Sequence, residues 1–125
     1  MRELILIFVG GGLGSVTRFS LGKWVSSFLS QNFPYGTLAV NVIACIVLGL
    51  VIGLADHKQI ISAQSRLFWT VGFCGGFSTF STFSSETLTL IQTGFQLTAV
   101  LYITASLILC LAATFAGLYL GETIN

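Results

Sequence analysis

The sequence predicts an all-α membrane protein with four transmembrane helices, the third of them broken near its middle. Only 7% of the 125 residues are charged and 54% are hydrophobic, whereas about a quarter of the residues in a soluble domain carry charge. Uncharged stretches of 32 and 35 residues, 24–55 and 87–121, exceed the roughly 20 apolar residues that a helix needs to cross a bilayer. They are also too long for barrel strands. The net charge of +1 indicates no nucleic-acid partner.

Turn residues divide the apolar stretches into spans at about 4–28, 36–55, 66–91 and 96–120, which form a single integral-membrane domain over residues 1–125. Pro34, the only proline, lies in the polar segment 30–36, which is typical of a loop. Gln92, Thr93 and Gly94 separate the last two spans. Because backbone groups in lipid must be satisfied internally, helices with short connections are the predicted architecture.

The positive charges give the chain little preference for one orientation in the membrane. With a cytoplasmic N-terminus, that side carries Arg2, Lys58 and Arg66, and the opposite side carries Lys23 and Arg18. The positive-inside rule then specifies orientation weakly. Two outcomes stay open: either the chain inserts both ways and opposite copies pair as an antiparallel, dual-topology homodimer, or the small difference is enough for one orientation.

No motif of an enzyme or of a Cys/His metal site occurs in the sequence. Cys45, Cys74 and Cys110 lie singly in three predicted spans and His57 lies in a loop, so the thiols are predicted to pack as small apolar groups. The glycine run 10–14 lacks the strand and the acidic residue of a nucleotide-binding loop. Glycines four residues apart instead predict close helix packing in every span, at Gly10/Gly14, Gly49/Gly53, Gly72/Gly76 and Gly117/Gly121.

Polar residues within the spans are costly and therefore indicate function. Arg18 follows the glycine-rich part of the first span, where it is either an interfacial anchor or an attractor of anions at a vestibule. Thr37 and Asn41 are four residues apart and share one helix face. The Asn41 amide either donates hydrogen bonds to a dehydrated anion or bonds to a neighbouring helix.

The segment 75–86 combines two glycines, a Phe at every third position and hydroxyl residues between them, and it ends in Glu86. Such a segment favours a broken helix, and broken helices at membrane depth line cavities. The edge of a phenyl ring is positive, so the rings suit an anion whose water is replaced by hydroxyl groups. The alternative is an aromatic core whose hydroxyls bond to their own helix. A charged Glu86 repels an anion unless it is protonated, bonded to hydroxyls or turned away, so the sign of the ion stays open.

A polar stripe runs along the last span. Its members recur at four-residue intervals on one slowly drifting face and offer hydroxyl or thiol groups to a partly dehydrated ion; they are Thr98, Tyr102, Ser106, Cys110 and Thr114. Chance or bonding between helices would produce the same spacing.

Three of these segments together resemble the Fluc/CrcB family of fluoride channels. The matching motifs are Gly11-Gly12-Leu13-Gly14 with Arg18, then Gly36-Thr37-Leu38-Ala39-Val40-Asn41, and the highly specific GFCGGFSTFSTFSSE at 72–86. The resemblance extends over the whole chain in length and span number. It implies a bacterial, multi-pass inner-membrane channel that exports cytoplasmic fluoride passively and that works as an antiparallel homodimer with two pores.

The resemblance also implies roles for single residues. The ring edges of Phe80 and Phe83 would flank fluoride, and Asn41 would donate hydrogen bonds near the pore. Hydroxyl groups along the pathway would come from Thr37, Ser81, Thr82, Tyr102, Ser106 and Thr114.

A structural sodium ion, Na⁺, is the cofactor that the resemblance implies. It would be held at the dimer axis by the backbone carbonyls of Gly75 and Ser78. Glu86 matches the acid that follows the family's Phe motif. Two positions depart from the family pattern, because Ser78 stands where Thr is common and Cys110 stands where a hydroxyl residue is often found.

Two other functions fit the sequence. A small four-helix, dual-topology, proton-coupled multidrug transporter would use Glu86 as its carboxylate, although that carboxylate usually lies in the first span. A non-conducting assembly subunit would need the intramembrane hydroxyls only for folding.

Overall fold

The computed structural model describes residues 1–29, 32–56 and 61–124, and this part of the chain contains helices and short connections but no strand. The helices are α1 (Arg2–Phe28), α2 (Tyr35–Asp56), α3 (residues 63–77), α4 (Phe80–Gln92) and α5 (Gln96–Thr123). Helices α3 and α4 are the two halves of the third predicted helix. The prediction of four helices with the third one broken is therefore confirmed. Ser30 and Gln31 of the first predicted loop, and His57 and Lys58 of the second, lie outside the described residues.

Three helices in the described part of the chain are long and apolar enough to cross a membrane: Arg2–Phe28, Tyr35–Ala55 and Gln96–Thr123. Helices α3 and α4 are each too short to cross a membrane alone. Two extended residues, Ser78 and Thr79, separate them. Most of the large apolar side chains of α1 and α5 are exposed. Exposed apolar faces of this extent are expected where lipid, and not water, surrounds a helix.

Local sequence explains where the helices begin and end. Pro34 immediately precedes α2, and its carbonyl accepts the first helical hydrogen bond from Leu38. The Ser62 side chain caps α3 by accepting a bond from the Ser65 N–H. Between α4 and α5, Gly94 adopts a φ of 90°, a conformation that residues with a side chain rarely tolerate.

Glycines hold two pairs of helices at close range, as their spacing predicts. Helix α1 packs on α3, and a Cβ added to Gly10 would lie 2.8 Å from the Phe68 carbonyl oxygen. Helix α2 packs on α5, and a Cβ added to Gly53 would lie 2.7 Å from the Leu118 carbonyl oxygen. Without side chains at these points the backbones approach until carbonyl oxygens nearly touch Cα atoms.

The helix break falls at Ser78 and Thr79, after the two glycines and not at them. Both residues are extended, with ψ values of 158° and 115°. Gly76 stays helical because it packs directly on the backbone of Gly11, where a side chain has no room. Ahead of the break, Phe68–Cys74 forms a π-helix, which the sequence did not predict. Such widened turns are often found at functional sites.

Candidate functional site

Asn41 on α2 stabilises the helix break with both ends of its side-chain amide. Its Oδ1 accepts a hydrogen bond of 2.9 Å from the Thr79 N–H, and its Nδ2 donates one of 3.3 Å to the Thr79 carbonyl oxygen. Both backbone polar groups of Thr79 are therefore hydrogen-bonded even though the helix is broken there. Of the two interpretations of Asn41, bonding to a neighbouring helix is the one seen here. The amide nitrogen carries two N–H groups, so one remains for a ligand.

A cavity of 460 Å³, called here the charged cavity, opens on one side of the break. Two cations and one carboxylate line it, together with hydroxyl groups. Its polar lining comprises Arg18, Lys23, Ser26, Thr37, Thr79, Thr82, Ser85, Glu86 and Thr89. Thr37, Thr82, Glu86 and Arg18 were singled out from the sequence, whereas Lys23, Ser26 and Ser85 were not assigned to any site.

Glu86 is bonded to hydroxyls from two other helices. Its Oε2 accepts a bond of 3.0 Å from Thr37 on α2, and its Oε1 accepts one of 2.9 Å from Tyr102 on α5. Each carboxylate oxygen thus has a donor, which is what burial of a carboxylate requires. An acid is compatible with an anion pathway if it is protonated, bonded to hydroxyls or turned away. Glu86 meets the second of these conditions.

Arg18 reaches the end of α3. Its Nε donates a hydrogen bond of 3.3 Å to the Gly76 carbonyl oxygen, one of the carbonyls that the break removes from the helical pattern. A cation at the C-terminal end of a helix is electrostatically favourable. Arg18 therefore anchors the break and also lines the charged cavity, so the two interpretations of this residue are compatible.

A second cavity of 300 Å³, called here the aromatic groove, lies on the other side of the break. It brings together residues of α2, the break, α4 and α5 that are far apart in the sequence. They are Asn41, Cys45, Ser78, Thr79, Phe80, Phe83, Ser106, Leu107, Cys110, Leu111 and Thr114. Thr79 is common to the two cavities. Sequence reasoning missed this residue, although its position at the helix break next to Phe80 was a usable signal.

The aromatic rings form a continuous row across the two cavities. The centroids of Phe80 and Phe83 are 5.5 Å apart, and Phe83 lies 5.0 Å from Tyr102. Tyr102 in turn meets Phe33 edge-on at 5.4 Å. Tyr102 is fully buried, whereas 77% of Phe80 is exposed. The row therefore leads from the interior of the chain to its surface.

The predicted stripe on α5 is divided between the two cavities. Ser106, Cys110 and Thr114 line the aromatic groove, while Tyr102 contacts the charged cavity through its bond to Glu86. Not every hydroxyl points to a cavity, because Thr114 donates to the Cys110 carbonyl oxygen of its own helix. That bond is the one expected from the packing alternative.

Like Tyr102, the predicted pathway residue Ser81 is not among the residues that line the two cavities. It is exposed, and its hydroxyl lies 3.3 Å from the Thr79 hydroxyl. Thr82, in contrast, lines the charged cavity and accepts a bond of 3.0 Å from the Thr79 hydroxyl. Ser81 is thus linked to the site only through the residue at the break.

Comparison with known proteins identifies the family. The family model described as "CrcB-like protein, Camphor Resistance (CrcB)" matches residues 5–118, which is most of the chain. The chain belongs to the CrcB-like family. The motif segments at 11–18, 36–41 and 72–86, each of which contributes residues to the lining of the cavities, all lie within the matched range.

Relatives of this CrcB-like chain carry a functional name. A protein of Bacteroides fragilis named "Fluoride-specific ion channel FluC" is 45% identical over 125 residues, covering 98% of each chain. Proteins of the same name from Rhizobium etli and Agrobacterium fabrum are 43% and 40% identical, and they cover 94% and 99% of each chain. These relatives are named ion channels, a class that is not enzymatic.

Proposed function

We propose that this CrcB-like protein is a fluoride-selective ion channel that lets cytoplasmic fluoride leave the cell passively. The names of its full-length relatives support this function. The observation that carries the proposal is the aromatic groove, because it joins an amide donor, two Phe rings and a hydroxyl residue in one wall: Asn41, Phe80, Phe83 and Ser106. Positive ring edges and polar protons are the groups that replace the water of a small anion.

In this proposal the ion passes from the charged cavity into the aromatic groove, and its surroundings change from charged side chains to aromatic rings and polar donors. Arg18 and Lys23 raise the local concentration of anions in the charged cavity. The Glu86 carboxylate opposes them, but both of its oxygens are occupied by hydroxyl protons. Thr79, which lines both cavities, is the point where the ion passes into the aromatic groove. There, close and rigid donors favour a small anion over larger halides.

An antiparallel homodimer completes the pathway in this proposal. The groove is open on one side, and Phe80 is largely exposed beside it. A Cβ added to Gly75 would meet no atom within 4 Å, which leaves room for a second copy at the break. A two-fold axis repeats each pathway and so gives two pores per dimer. The weak charge bias allows copies of opposite orientation in the bacterial inner membrane, with the whole chain as one integral-membrane domain.

A structural sodium ion on that axis fits the backbone at the break. In a continuous helix the Gly75 carbonyl would accept from Thr79, but that N–H donates to Asn41. The Ser78 carbonyl would accept from Thr82, but that N–H donates to the Thr79 hydroxyl. Both carbonyls are thus relieved of their helical donors, and carbonyl oxygens suit a hard cation. Sodium would supply a positive charge that joins the two copies, so replacing it with a bulky organic cation should lower the dimer fraction.

Fluoride efflux from liposomes tests the channel function. Purified protein is reconstituted into vesicles loaded with fluoride or with chloride, and release is followed with ion-selective electrodes. We expect rapid fluoride release and no chloride release. Phe83→Ile should slow fluoride release strongly, whereas Phe8→Ile, which changes an exposed ring outside both cavities, should not.

The same vesicles separate the channel from a proton-coupled multidrug transporter. A folded protein that releases no fluoride, but takes up a cationic dye along a proton gradient in a way that depends on Glu86, would contradict the proposal. Equal flux through wild type and Phe83→Ile would show that the aromatic groove is not the route.

A further inference from the structure

Two cysteines that are 65 positions apart in the sequence meet in the wall of the aromatic groove. Cys45 of α2 and Cys110 of α5 both line this cavity, and each lies one helical turn before a point where the two backbones meet, Gly49 against the Thr114 carbonyl oxygen. Neither is assigned a role by the fluoride pathway, in which Cys110 occupies a position typical of a hydroxyl residue. Nothing in the sequence pairs them, because each lies singly in its own span.

The pairing of the two thiols follows from the way α2 packs on α5. The two helices run parallel, since Gly49 packs near Leu118 and Gly53 near Gly121. Polar side chains recur every four residues on both helices, and the register sets them side by side. Thr37 and Tyr102 both donate to Glu86, and one and two turns further on, Asn41, Cys45, Ser106 and Cys110 all line the aromatic groove. Glycines fix this register, so the packing of the two backbones, and not chance rotamers, brings Cys45 and Cys110 to the wall of the same cavity.

The third cysteine stands apart from this pair. Cys74 is buried, and its Sγ contacts the Ala44 carbonyl oxygen at 3.7 Å. It lines neither cavity. In the described part of the chain, no group of three or more His, Cys, Asp or Glu side chains could hold a metal ion. Among the described residues, Cys45 and Cys110 therefore offer a metal ion two sulfur ligands, fewer than the four protein ligands of a structural zinc site.

We propose that Cys45 and Cys110 form a two-thiolate site for a soft, divalent d¹⁰ cation that prefers linear coordination, and that the bound ion obstructs the aromatic groove. The obstruction rests on the proposed channel function, whereas the metal site does not. Sulfur ligands select soft metals. Two thiolates and one divalent ion carry no net charge, which is the arrangement that a low-dielectric membrane interior tolerates best.

Mercury(II) is the probe that matches this site. From the dichloride, binding forms two Hg–S bonds, breaks two Hg–Cl bonds, and releases both thiol protons and two chloride ions, because the thiolate is the ligand. Added as the neutral dichloride, the ion also reaches a groove whose charged cavity would repel a free cation. Each metal ion then blocks two thiols, which distinguishes bridging from attachment to a single cysteine.

The test combines metal stoichiometry with fluoride efflux on the full-length protein. One equivalent of mercury(II) chloride per chain is added, and intact mass and thiol alkylation are measured. We expect one mercury per chain with two protons lost and two thiols protected from alkylation. In fluoride-loaded liposomes we expect efflux to fall by at least about tenfold, because an ion fills the constriction, and to recover with excess dithiothreitol.

Variants assign the effect to the pair. Relative to its own rate without mercury, each of Cys45→Ala and Cys110→Ser should lose most of the inhibition and all of the two-thiol protection. Cys74→Ala is the matched control and should behave like wild type in both measurements.

Three results would overturn the proposal: one thiol protected per metal, equal inhibition of wild type and both pair variants, or full efflux through a protein with both thiols bridged. A protein that shows no fluoride efflux before mercury is added contradicts the channel function and, with it, the obstruction. The mass and alkylation measurements still decide the metal site in that case.

Discussion

Gly49→Ala tests whether the register of α2 on α5 shapes the groove. A Cβ at this position would lie 2.8 Å from the Leu118 nitrogen and nearer still to the Thr114 carbonyl oxygen. Ordinary contacts of a Cβ begin at 3.4 Å, so the helices must separate by roughly 0.5 Å or more, enough to forfeit a quarter or more of each close packing contact there. Because backbone atoms are involved, no side-chain rotation relieves the clash. Overpacking of this kind costs about 1–3 kcal/mol.

The assay for Gly49→Ala is unfolding in mixed micelles of increasing SDS fraction, followed by circular dichroism, with fluoride efflux measured on the same preparation. We expect the folding equilibrium to weaken by roughly 5- to 150-fold, the equivalent of 1–3 kcal/mol, and efflux to fall because Thr114 lines the groove. Gly11→Ala is the control, since its Cβ would meet only the Gly72 carbonyl oxygen at an ordinary 3.8 Å. Equal stability of the two variants would refute the role given to the close approach of α2 and α5.

Three further substitutions probe single contacts. Asn41→Ala leaves the N–H and carbonyl of the half-buried Thr79 without their side-chain partner, and each loss costs at most the roughly 1–3 kcal/mol of a fully buried group. The same SDS titration should therefore show a less stable protein that conducts little fluoride; wild-type stability would contradict this. Tyr102→Phe removes a donor to the half-buried Glu86 carboxylate and should slow efflux, whereas Tyr119→Phe, at an exposed ring outside both cavities, should not. Lys23→Gln should slow efflux at low ionic strength but not in about 1 M salt, where charges are screened within roughly 3 Å; a salt-independent effect would argue against electrostatic attraction.

The broken third helix was predictable because its cause is local. Hydroxyl and β-branched residues after Gly75 and Gly76 favour an interruption, and the interruption lies within that segment. Its position, two residues past the glycines, was not predictable from local preference. It depends on Asn41, which pairs with the Thr79 backbone from another helix, and on Gly11, which needs Gly76 to remain helical beneath it.

The candidate site was predictable as a set of residue types but not as an arrangement. The cost of polar side chains in lipid was enough to select Asn41, Glu86 and the stripe on α5. The partners of Glu86 come from helices 49 and 16 positions away, and no periodicity within one helix contains that information. Thr79 was missed for a related reason, since its importance comes from lying between two cavities that exist only after the helices pack.

A second polar stripe, on α2, consists of Thr37, Asn41 and Cys45. It is hard to recognise from the sequence when each helix is considered alone. The four-residue repeat on the last span was long enough to stand out, whereas Thr37 and Asn41 alone were two points that defined no stripe. Cys45 extends them by one more step of four, and its meaning appears only beside the parallel stripe of α5. Because both repeats have the same interval and the glycines fix one register, polar groups of α2 and α5 border the same site: Thr37 and Tyr102 both donate to Glu86, and Asn41, Cys45, Ser106 and Cys110 all line the aromatic groove. Changing a hydroxyl or amide donor of either stripe at this site should therefore weaken fluoride conduction more than changing any single exposed hydroxyl.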